Sequence, residues 1–159
     1  MAHMRGSLLF VMRAAISKRR ATTAVEEVVP KGWSGEGEAH RTLKEAIALH
    51  PEWLGLPKNI APGKVEALLY SGDRVDVVVS TSRLRIAVEV KAHGAQTGDL
   101  VRGLFRCVKY AAVLEAESKA WQNKQDSRAM LALGGALPTG LKALRAVLSV
   151  DVVESLGRG

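Results

Sequence analysis

The sequence predicts an α/β domain built on one mixed β-sheet flanked by helices, with its elements in the order α-β-β-β-α-β-α-β. Three observations predict it. First, "KVEALLYSGDRVDVVVSTSRLRIAVEVKA" (residues 64–92) holds three β-rich runs separated by "SGD" and "STS", both turn-formers, so an antiparallel meander is expected. Second, the helical periodicity of "TGDLVRGLFRCVKYAAVLEAESKAW" (97–121) is followed by the apolar run "SRAMLALGG" (127–135). Strand, long helix and strand in succession form a unit that adds a parallel neighbour to the meander. Third, the chain has 159 residues, 47% of them apolar, which is enough for one domain with a core and hardly enough for two.

Residues 1–33 are set apart as a tag remnant and a basic N-terminal segment, and 34–159 as the single domain. "MAH" ahead of Met4 has the look of a vector remnant. "MRAAISKRRATTAVEEV" is either a short basic helix or a loose arm, ended by Pro30 and Gly32. "SGEGEAHRTLKEAIALHPEW" then forms a helix, with Ser34 as N-cap, acidic residues in the first turn and Pro51 as the stop. Residues 51–63 carry three prolines and two glycines and are expected to be a loop. In the long second helix Thr97 is the N-cap, and Val101, Leu104, Val108 and Ala112 form the buried stripe. "LPTGLKALRAVLSV" is a third helix and "DVVESL" a last short strand. There is no internal repeat and no low-complexity tract.

The formal net charge of +7 favours an anionic partner, with nucleic acid the commonest. The one cysteine, Cys107, excludes an internal disulfide and suits a reducing cytoplasm. No apolar run is long enough to span a membrane. "SLLFVM" is followed by "SKRR" and lacks a small-residue cleavage site, so it is not read as a signal peptide.

The chemistry concentrates in the meander. In "RIAVEVKA" (85–92), Ile86, Val88 and Val90 alternate on one face, which leaves Glu89 and Lys91 together on the other. In "RVDVVV" (74–79), Asp76 sits among valines, with Val75 and Val77 assigned to one face and Asp76 and Val78 to the other. A carboxylate in such a run is costly to bury unless something pairs with it. A hairpin would bring Asp76 and Glu89 together, and two carboxylates so placed call for a cation between them. Mg2+ suits an oxygen-rich site with few protein ligands.

Asp76, followed by Glu89-Val90-Lys91 on the next strand, resembles the D…(D/E)-x-K signature of the PD-(D/E)xK nuclease superfamily. That superfamily has the restriction-endonuclease-like fold, and the element order over residues 34–135 is similar to its core. Val75 stands where the family name has proline. The resemblance implies a Mg2+-dependent nuclease, with Mn2+ as a substitute metal. Asp76 and Glu89 would bind the ion, helped by the Val90 carbonyl, and Lys91 would position water for in-line attack on a phosphodiester. It also implies a glutamate on the first helix. Glu36 falls on the stripe of Ala39, Leu43, Ile47 and His50 and is favoured. Glu38, which falls with Thr42 and Glu45, is held in reserve. Arg102, Arg106 and Lys109 on the second helix would hold nucleic-acid phosphates. DNA is favoured over RNA, and a second copy of the chain is a candidate partner.

Plainer readings stand beside these. Taken without the element order, Asp76 reads also as an exposed turn-end residue at an edge and Glu89 and Lys91 as a solvated strand face, and the basic stripe reads also as an ordinary helix surface. His40 and His50 are taken as surface or half-buried, and Cys107 as a packing residue. Trp33, Trp53 and Trp121 are too scattered for a base-stacking platform. "LALGGALPTG" lacks the Lys-Ser/Thr of a phosphate loop. The alternatives to an enzyme are an inactive nucleic-acid-binding or assembly subunit of the same fold, and a basic module for an acidic protein.

Overall fold

The structure, a computed structural model, describes residues 37–122 and 124–157. The basic segment 1–33, the Ser34 cap and Glu36 lie outside these residues. The described elements are α1 (Glu38–Leu49), a 3-10 turn (Pro51–Leu54), β1 (Lys64–Leu68), β2 (Arg74–Ser80), β3 (Leu84–Lys91), α2 (Thr97–Ala120), β4 (Asp126–Leu133), α3 (Thr139–Leu148) and β5 (Asp151–Val153). Their order is the one the sequence predicts.

The five strands form one sheet in the order β1-β2-β3-β4-β5. β1, β2 and β3 pair antiparallel, and β3, β4 and β5 pair parallel. Both meander turns have local causes. Gly72 adopts φ +86°, and its N–H bonds the Leu69 carbonyl at 3.0 Å. Thr81 closes the second turn, its Oγ1 accepting the Leu84 N–H at 2.9 Å. Among the described residues no helix is long and apolar enough to cross a membrane.

β3 is buried continuously from Ile86 to Val90 because both faces of the sheet are covered. On one face Ile86, Val88 and Val90 pack with Leu43, Ile47 and Ala48 of α1. On the other, Ala87 packs with Tyr110 and Leu114 of α2, while Leu131 and Leu133 of β4 pack with Leu100, Leu104 and Cys107.

Four details depart from the sequence reading. Helix α1 begins at Glu38 with Gly37 as its cap residue, and no side chain caps it. The α2 cap is Gln96, one residue ahead of Thr97. The buried stripe of α2 is Leu100, Gly103, Leu104, Cys107, Tyr110, Leu114 and Glu117, so Val108 is exposed. Gly103 sets this rotation, since a Cβ there would come within 2.9 Å of Leu131 Cδ1 and 3.3 Å of Lys91 Cε. Only a residue without a side chain lets the helix lie this close to the sheet. Lastly, Val75 and Val77 do not share a face. Val75 packs with Tyr110 under α2, while Val77 packs with Ile47 under α1.

Candidate active site

The change of face between Val75 and Val77 falls on Asp76, and β1 changes face at the same level. Val65 packs on the α1 side and Ala67 on the α2 side. Glu66 lies between the pairs Val65↔Val77 and Ala67↔Val75, hence opposite Asp76. Its φ is +52°, a left-handed conformation that a glutamate adopts only when its surroundings hold it there. Those surroundings are Lys44, which hydrogen-bonds Glu66 Oε1, and Arg74 at 3.6 Å from Oε2.

The recorded β2–β3 pairing ends at Val77↔Val88. One step further, the Asp76 carboxylate enters the gap between the strands. Its Oδ2 accepts the Val90 N–H at 2.8 Å, so the side chain lies near the plane of the sheet and not on the pleat face of Glu89. The imidazole of His40 stands beside both groups. Its Nε2 is 2.8 Å from the Val90 carbonyl and 3.6 Å from Asp76 Oδ2. Because a carbonyl only accepts, Nε2 is the donor in that contact. Burial pushes the Asp76 pKa up. Hydrogen bonds from His40 and the Val90 N–H, with the charges of His40 and Lys44, outweigh it and hold the carboxyl below its ordinary value.

Glu89 and Lys91 share a face, as the period of two requires. The Glu89 side chain is only 1% exposed and lies under α2. Its Oε1 accepts from Lys91 Nζ at 2.7 Å and from Arg106 at 3.1 Å. Its Oε2 lies 3.4 Å from the Tyr110 hydroxyl. The Glu89 charge raises the Arg106 pKa. Burial, then Glu89, raise those of Tyr110 and Cys107, the Cys107 thiol to about 12. Cys107 is therefore an unreactive packing residue.

Of the two candidate glutamates on the first helix, Glu36 lies outside the described residues. Glu38 is exposed and forms no hydrogen bond or ion pair with another described residue. It lines a cavity of about 900 Å³ with Thr42, Leu43, Trp53, His93 and Leu156. The residues that α1 turns toward Asp76 and Glu66 are His40 and Lys44, one helical turn apart, and Lys44 is buried. His40 is half-buried, one of the two placements the sequence allows, and the spacing of four that joins it to Lys44 beside Leu43 and Ile47 is the sequence signal for both. His50 is half exposed, stacked on Trp53 with ring centroids 5.1 Å apart.

Each cation of the basic stripe meets an acid: Arg102 pairs with Asp99, Arg106 with Glu89, and Lys109 with Asp73 at 2.6 Å. All three remain open to solvent. At the far end of α2, Trp121 lies against Tyr70 with ring centroids 5.4 Å apart, a pairing the sequence did not announce.

Among the described residues no three His, Cys, Asp or Glu side chains are gathered closely enough to hold a metal ion. The donor chemistry still fits a hard divalent cation. Asp76 is held ionised and bonded to the Val90 N–H, Glu89 precedes Val90 on the same strand, and the Asp76, Glu89 and Val90 carbonyl donors are all oxygens. These oxygens are occupied here by His40, Lys91 and Arg106.

No protein-family model matches the chain, and no curated protein matches it. Solved structures do. A repair endonuclease from Pyrococcus abyssi aligns with a TM-score of 0.53 and 19% identity over 76% of this chain and 47% of that one. A structure of an EndoMS-dsDNA2 complex aligns with a TM-score of 0.48 and 19% identity over 77% of this chain and 47% of that one. The chain thus spans about half the length of these neighbours. The first likeness, together with the five-stranded mixed sheet and its flanking helices, shows a restriction-endonuclease-like fold.

Proposed function

We propose that the chain is a metal-dependent nuclease that hydrolyses phosphodiester bonds of DNA at Asp76, Glu89 and Lys91. One observation carries the reading. The Asp76 carboxylate is bonded to the backbone of Val90, the residue between Glu89 and Lys91, at the point where β2 and β3 separate. That places an ionised aspartate, a buried glutamate and a lysine around one short stretch of strand, in a fold shared with a repair endonuclease. That neighbour and the net charge of +7 favour DNA as the substrate.

Asp76, Glu89 and the Val90 carbonyl would hold Mg2+, or Mn2+ in its place, and a bound ion supplies charge neutralisation and a more acidic water. His40 fixes the Val90 peptide and so the direction of its carbonyl. Lys44 and His40 keep Asp76 ionised. Lys91, anchored on Glu89 at 2.7 Å, presents an ammonium that orients the attacking water or bonds a phosphate oxygen. Arg102, Arg106 and Lys109 project from the helix beside this site and would hold the flanking phosphates.

The test is nicking of supercoiled, branched and single-stranded DNA with Mg2+ or Mn2+. Wild type should cleave at least one substrate, Glu89→Gln none, and Lys91→Ala about 10²- to 10³-fold more slowly. The engagement of Glu89 by Lys91 and Arg106 favours one second reading, an inactive DNA-binding or assembly subunit. DNA binding without cleavage of any substrate would establish that reading instead.

A further inference from the structure

Glu89 already has its charge balanced. Lys91 and Arg106 both meet one of its oxygens, at 2.7 and 3.1 Å, and Tyr110 faces the other. A divalent cation placed on this carboxylate would add two positive charges in contact with two others. The two cations are not equivalent. Lys91 is 18% exposed and comes from the same strand, two residues away, packed against Gly103. Arg106 is 56% exposed and reaches Glu89 from the surface of α2. It lies between Arg102 and Lys109, whose own partners, Asp99 and Asp73, are near the surface. Arg106 is therefore the cation able to leave Glu89. Its planar fork suits a phosphate as well as it suits a carboxylate.

We infer that Arg106 couples DNA binding to metal binding: in the free protein it occupies Glu89, and a backbone phosphate draws it off and opens that carboxylate to the divalent cation. The inference rests on the nuclease reading and deepens it. It makes Arg106 a positioning residue that acts through Glu89, and it makes the free protein a poor metal binder. Coupling of this kind is reciprocal, so the metal tightens DNA binding by the factor with which DNA tightens metal binding. The phosphate need not carry any base sequence, because the exchange involves only its negative oxygens.

Two measurements test it, at constant ionic strength. Calorimetry follows Mg2+ binding to wild type, Arg106→Gln and Arg106→Lys without DNA. Fluorescence anisotropy follows a short labelled duplex with and without Ca2+, which takes the same oxygen donors. The expected results are weak Mg2+ binding by wild type, binding by Arg106→Gln tighter by roughly 5-fold or more, and an Arg106→Lys variant close to wild type. Ca2+ should tighten duplex binding by wild type within the roughly 5- to 150-fold range of such couplings, and by less in Arg106→Gln. The salt slope of Arg106→Gln should fall by roughly one unit, because one phosphate contact is lost. If Arg106→Gln binds Mg2+ no more tightly than wild type, or Ca2+ leaves the wild-type duplex affinity unchanged, the coupling role is wrong. The wild-type comparison needs no variant, so it decides the matter even if Arg106→Gln fails to fold. Full Mg2+ affinity without DNA in a protein that cleaves would overturn the coupling alone. No divalent-cation binding with or without DNA would overturn the nuclease reading along with it.

Discussion

On the α1 side of the sheet, Leu43, Ile47, Val77, Val79, Val88 and Val90 form an apolar cluster, with one buried charge beside it, Lys44, paired to Glu66. On the α2 side, two carboxylates are buried between helix and sheet. Glu89 points up from β3 to Lys91, Arg106 and Tyr110. Glu117 points down from α2 to Arg85 at 2.6 Å and to the Tyr70 N–H at 2.8 Å. The first face is held by volume and contact, which tolerate any apolar side chain of the right size. The second is held at points, each with a partner that no apolar residue replaces. Every buried side-chain nitrogen and oxygen among the described residues has a hydrogen-bond partner, so this polar interface is satisfied as it stands. Buried ion pairs add little net stability when whole, whereas removing one partner is costly.

Breaking the polar face at one point is expected to cost the most. Glu117→Leu keeps the apolar bulk but leaves Arg85 and the Tyr70 N–H without their partner, and unfolding by urea should show a loss of about 3–5 kcal/mol. A loss below about 1 kcal/mol would mean that α2 is held by its apolar stripe alone. On the other face the cost should follow volume. Ile47, fully buried, should cost about 2–5 kcal/mol as Ala and about 0.5–1.5 kcal/mol as Val in the same urea titrations. Equal costs for the two variants would contradict a face held by packing.

The smallest expected effect is confined to acid and concerns the seam between the faces. The folded-state pKa of Asp76 lies below its usual 3.8. Its ionised form therefore stabilises the fold fully above that usual value, and the contribution is lost as pH falls through the lower folded value. Thermal unfolding of wild type and Asp76→Asn should differ by a constant amount above about pH 4 and converge below it. A gap that stays constant down to the acid limit would show that Asp76 is held by shape and not by charge.

The element order, the meander and the shared face of Glu89 and Lys91 were all legible in the chain. Each is set by short-range patterning, with alternation in strands and glycine-rich turns between them. Three features were not legible, for three physical reasons. The period of two carries no mark of a change of face, so Val75 and Val77 were put together although the strand turns over at Asp76. The phase of α2 depends on Gly103 and on the charges of Glu89, which lie on other elements or carry no side chain at all. The roles of His40 and Lys44 show only once the sheet supplies Asp76 and Glu66 for them to meet. Glu36, favoured from the helical stripe, lies outside the described residues, and Glu38 faces the cavity beside α1.

The most direct measurement is a crystal grown with a short DNA duplex and Mn2+, with anomalous scattering recorded to locate the ion. The expected result is a peak in contact with carboxylate oxygens of Asp76 and Glu89 and with the Val90 carbonyl, and Arg106 moved from Glu89 to a phosphate. Manganese bound elsewhere, or DNA bound with Arg106 still on Glu89 and no peak beside Asp76, would contradict a metal-dependent site at this seam.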